Sequence, residues 1–146
     1  MRSMSNPTRI TLFTVEEANH LVAEVRPDLE RLAALKREFD KLGERAAVLS
    51  LALSGAAADN PDVAEQKRVT ERRDLLAEKI LKGIEAVHAR GCLVKDVSRG
   101  LLDFYALSGD RLIFLCWQLG EKGVEHWHTL ESGFAGRQPL DSQERG

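Results

Sequence analysis

A chain of 146 residues, 43% hydrophobic and 30% charged, is long enough to bury a core without disulfides or a structural metal, and it reads as a single domain over 1–146. Its formal net charge of −2 argues against non-specific nucleic-acid binding, which needs a basic face. No apolar run is long enough to span a bilayer, no basic-then-apolar leader opens the chain, and two cysteines, Cys92 and Cys116, are too few for a disulfide framework. These features predict a cytoplasmic protein with neither a membrane nor a nucleic-acid partner.

Residues 1–8 are polar and without period, which predicts a disordered tail. Arg9 to Phe13 alternates and predicts a short strand. Thr14-Val15-Glu16-Glu17 is a capping box: the Thr14 hydroxyl can accept from the Glu17 amide while the Glu17 carboxylate reaches back. A helix should therefore start at Val15. Apolar or small residues then recur at alternating steps of three and four from Ala18 to Leu53, broken at Asp28, the pattern of a seam between paired helices. Pro27 lacks an amide donor and clashes with the preceding turn, so a kink or break is expected near Arg26. Ser54 to Asn60 reads as a turn, with Asn60 as the next N-cap and Pro61 in the first helical position. Leu75, Leu76, Ile80, Ile84 and Val87 carry the second apolar face, and Arg90-Gly91 ends it. The hairpin over 14–91 would extend about 45–60 Å at 1.5 Å per residue and bury one face of each helix. A homodimer through the long helices would cover what remains.

From Cys92 the period becomes two, which predicts a small antiparallel sheet over 92–130. Cys92 to Val97 is its first strand. Leu101 to Ala106 and Arg111 to Leu119 flank the hairpin turn Ser108-Gly109-Asp110, and Val124 to Leu130 is the last strand. Residues 131–146 read as loop and tail. A symmetric loop at Gly120–Gly123 would set Trp117 opposite His126 and Leu115 opposite His128. A slip of one residue would instead put Cys116 opposite His126.

Phe13-Thr-Val-Glu-Glu-Ala18, Val94-Lys-Asp96, Gly100-Leu-Leu-Asp-Phe104, Leu115-Cys-Trp117, Leu119-Gly-Glu121, Trp127-His128 and Gly133-Phe-Ala-Gly-Arg-Gln-Pro139 together resemble the bacterial domain-of-unknown-function family 2203. The resemblance spans nearly the whole chain. It implies the domain limits and a focus on the C-terminal third, and it implies no chemistry.

His126-x-His128 on a strand sets two imidazoles on one face about 7 Å apart. Cys116, Glu131 or Asp103 could complete a tetrahedral site for a divalent transition metal such as zinc. In the competing reading Trp127 packs inward and both histidines face solvent. Gly133-Phe-Ala-Gly136-Arg137 lets backbone approach an anion beside a guanidinium, so Arg137 and Asp103 are ligand-binding candidates. Alternatively, Arg137 pins the tail by pairing with Glu121 or Asp103. Cys116 as a nucleophile would need His126 or His128 beside it. His20 and His88 lack spaced partners and read as surface residues.

The expectation is thus an α+β fold, a long antiparallel helical hairpin followed by a small antiparallel β-sheet. Its predicted role is a metal- or small-ligand-binding protein with the site on the sheet. The alternative is a helical-hairpin scaffold that binds a partner and has no ligand site. Neither names a reaction.

Overall fold

The computed structural model describes residues 9–55 and 59–141. The expected tail at 1–8, the centre of the interhelical turn and the last five residues lie outside that range.

Helix α1 runs Val15–Ala52, 38 residues, and starts on the Thr14 capping box with both reciprocal hydrogen bonds made. It continues through Pro27, so the expected break does not occur. Flanking turns with Val22, Val25 and Leu29 buried at 0–2% exposure hold the segment against the rest of the core. That burial outweighs the one hydrogen bond proline removes. Helix α2, Pro61–His88, begins with the Asn60 side chain accepting from the Asp62 amide. Among the described residues no helix is long and apolar enough to cross a membrane.

Five strands follow, β1 (Leu93–Asp96), β2 (Leu101–Ser108), β3 (Arg111–Gln118), β4 (His126–His128) and β5 (Gln138–Pro139), paired antiparallel in sequence order. Gly109, at φ 64°, and Asp110 close the β2–β3 hairpin. Two expectations are corrected. Residues 9–13 form no strand, because the segment makes a single backbone bond to the sheet, Phe13 N–H to the Tyr105 carbonyl at 2.8 Å. Residues 131–141 are not all loop: a 3₁₀ turn at Phe134–Gly136 returns the chain to pair β5 with β4.

Alternation along the strands sorts the sheet into two faces. Leu102, Phe104, Ala106, Ile113, Leu115, Trp117 and Trp127 form one core with Val15, Ala18, Leu21, Val25 and Leu29 of α1 and Ile80 and Val87 of α2. Asp103, Tyr105, Phe114, Cys116, His126 and His128 therefore lie on the opposite face, away from the helices. On that side Lys95 sits over Phe114 at 4.8 Å, and the guanidinium groups of Arg99 and Arg137 lie 4.1 and 4.6 Å from the Phe134 ring centre. The segment after β4 thus folds back as a cap on the second face. His88 is exposed, as expected, and its Nε2 accepts from the Val94 amide at 3.0 Å, tying the end of α2 to β1.

Candidate metal centre

Register decides what the second face can do. Asp103 stands opposite Cys116 on the neighbouring strand, and Cys116 stands opposite His126, with Phe114 opposite His128. This is the slipped arrangement, one residue from the symmetric pairing. The cause lies in the connection between β3 and β4. The Glu121 carboxylate accepts from the Gln118 amide at 2.8 Å, and the Glu121 carbonyl accepts from the Trp117 indole at 3.1 Å. On its far side, the Val124 amide is drawn to Asn19 Oδ1 of α1 at 2.8 Å. These anchors pull the loop out of symmetry.

The result is a buried cluster. One ligand atom each from Asp103, Cys116 and His128 lies within 4.8 Å of the others, and the three residues are 0–2% exposed. Ligands about 2.0–2.3 Å from a tetrahedral zinc ion stand about 3.3–3.8 Å apart, so a modest contraction would seat one. His128 Nδ1 lies 2.7 Å from the Thr129 carbonyl, an acceptor only, so Nδ1 carries the hydrogen. Nε2 then faces both Asp103 oxygens at 3.1 Å. A neutral imidazole would aim its lone pair at a carboxylate, which needs a proton or a cation between them. An N–H donated to a backbone carbonyl is also how a metal-ligating histidine is commonly oriented.

Burial, then the Asp103 carboxylate beside it, pushes the Cys116 thiol up to about 12. Without a cation it stays a thiol; a coordinated ion would displace the proton. The arrangement does not suit nucleophilic catalysis. Asp103 sits at Nε2, so no carboxylate orients Nδ1 while Nε2 activates the sulfur.

The remaining candidates lie apart from the triad. His126 Nδ1 accepts from Arg137 Nη2 at 2.7 Å, and Arg137 pairs with Glu121 at 2.8 Å. That network occupies Nδ1 of the imidazole, and His126 is not in the converging cluster. Glu131 is exposed on the turn after β4 and also lies outside it. Arg137 pins the returning segment through Glu121 rather than Asp103. Cys92 is on the helix side, buried, with its thiol against the Val87 carbonyl at 3.8 Å. The Thr129 carbonyl was not legible as part of a site, because a backbone carbonyl leaves no sequence signal.

No curated protein and no solved structure matches the chain. A family model described as an uncharacterized conserved protein matches residues 11–140, from just before the capped helix to just past the last paired strand. The chain therefore belongs to the uncharacterized conserved family DUF2203.

Proposed function

We propose that this protein binds a divalent transition metal, zinc by the character of its donors, through Asp103 carboxylate, Cys116 thiolate and His128 Nε2. The observation that carries the reading is the convergence of three different ligand types within 4.8 Å in a buried site, with His128 oriented by a backbone carbonyl. A buried imidazolium–carboxylate pair would explain Asp103 and His128 but gives no reason for a thiol in the same cluster. One nitrogen, one sulfur and one oxygen donor suit a borderline-soft ion, and three protein ligands leave a fourth position open. Elemental analysis of the purified protein tests this. About one ion per chain is expected, lost in H128A and C116A. No retained metal, together with no thermal stabilisation by added zinc, would reject it.

A second reading concerns the helices. We propose that two copies pair through them, seating Leu81 of one in the partner's groove. The groove, about 330 Å³, is lined by Lys36, Phe39, Ala77, Ile80, Leu81 and Ile84, and Leu75 and Leu81 beside it are 45% and 57% exposed. Charges of both signs, Lys36 and Lys82 with Asp74, Glu78 and Glu85, accompany the stripe, which is compatible with a self-complementary two-fold contact. Sedimentation should give a dimer that L81E dissociates; a wild-type monomer at all concentrations would end this reading.

A further inference from the structure

The cap over the second sheet face carries more positive charge than it neutralises. Arg99 and Arg137 stack on the same Phe134 ring at 4.1 and 4.6 Å, so their guanidinium carbons are at most 8.7 Å apart, the sum of the two distances. Arg137 has one carboxylate partner, Glu121. Arg99 donates to the neutral Gln118 amide oxygen at 3.3 Å and has no ion pair among the described residues, while Asp96 accepts from the Arg99 backbone amide. Lys95, across Phe114, has no carboxylate partner among the described residues. Every polar contact of the Arg137 guanidinium is made by Nη2, while its Nε–H is the one buried side-chain donor among the described residues with no acceptor at all. A buried guanidinium donor left unmade is costly, and such an orphan calls for an acceptor that the described residues do not supply.

We propose that this cap is an oxyanion site, in which a carboxylate or phosphate group accepts from Arg137 Nε–H and is shared with the Arg99 guanidinium. Arg137 also contacts His126, the cross-strand neighbour of Cys116. The bound oxygen would, in this proposal, serve as the fourth ligand of the ion, a role that rests on the metal reading above. The Gly133 and Gly136 backbone flanking Phe134 is where the cap would yield to admit the anion.

Cobalt(II)-loaded protein provides the test. Inorganic phosphate and, separately, acetate are titrated at constant ionic strength while the cobalt d–d bands are recorded. A saturable spectral change with at least one anion is expected. R137K keeps the charge towards Glu121 but has no Nε–H, and it should weaken half-saturation about tenfold or more. R99Q, on the exposed side, should weaken it about threefold, which secures the test if R137K fails to fold. No saturable change with either anion, or half-saturation unchanged in both variants, overturns the proposal. If the thiolate-to-cobalt band never forms, the metal reading has failed on its own, and calorimetric titration of the metal-free protein decides the oxyanion site. Saturable heat weakened by R137K or R99Q then keeps the site and removes only its role as metal ligand; no heat removes both.

Discussion

Replacing Asp103 by asparagine separates a metal centre from a bare ion pair, because the two differ in what the carboxylate is for. The side chain is 3% exposed and holds both oxygens 3.1 Å from His128 Nε2. With free zinc about 1,000-fold above its dissociation constant, binding stabilises the folded state by about 4 kcal/mol. For a chain of this size that raises Tm by roughly 8–16 °C. Asparagine keeps the shape but loses the anionic ligand. A ligand's loss should cost no less than the roughly 100-fold seen for outer-sphere partners, leaving about 1.5 kcal/mol of zinc stabilisation. In metal-free protein the asparagine amide can donate to Nε2 in the same place, so D103N should lie within about 1 kcal/mol of wild type. An ion pair predicts the reverse: loss of one partner costs about 3–5 kcal/mol without metal, and zinc changes nothing. Calorimetric melts of both proteins, with zinc and with chelator, read all four states. A D103N protein badly destabilised in chelator, beside a wild type indifferent to zinc, would refute the reasoning.

Three further outcomes are expected. Burial holds the Cys92 thiol at about 11 against an ordinary 9.0, so the folded state favours the neutral form; its contribution is whole below about pH 9 and fades by about 2–3 kcal/mol as pH rises to 11. Urea unfolding at pH 8 and pH 11 should therefore show wild type losing more stability than C92A, and parallel losses would contradict it. N19A removes the acceptor of the buried Val124 amide and should cost about 1–3 kcal/mol. Because that bond helps set the register that brings Cys116 to the site, N19A should also weaken zinc binding in competition titrations; unchanged affinity would detach the loop from the register. In G83A the added carbon would meet Leu32 Cδ2 at 2.5 Å. Leu32 is 2% exposed, so overpacking should outweigh the roughly 1 kcal/mol gained in helix propensity, and Tm should fall rather than rise.

Much of the architecture was legible because the signals are local. The Thr14 and Asn60 caps, the seam on α1 and the Gly109 turn each act through a few neighbouring backbone groups, and each sits where the pattern put it. Of the kink or break expected at Pro27, the break does not occur, because propensity is a local cost and the packing of Val22, Val25 and Leu29 is a global gain. β5 escaped notice because two residues ending in proline carry no period; that strand exists only because β4 offers an open edge.

By itself the sequence determined a helical hairpin ahead of an antiparallel sheet, and it narrowed the chemistry to the last third, since periodicity and caps depend only on near neighbours. It could not choose which of its ligand-type side chains meet. One residue of register decides whether the histidines share a face with Cys116 and Asp103, and that residue is settled by the Glu121 contacts to Gln118 and Trp117 within the loop together with Asn19 of α1, more than a hundred residues from the Val124 amide it holds. The tertiary structure alone therefore selected Asp103, Cys116 and His128, left Glu131 in solvent and drew His126 towards Arg137.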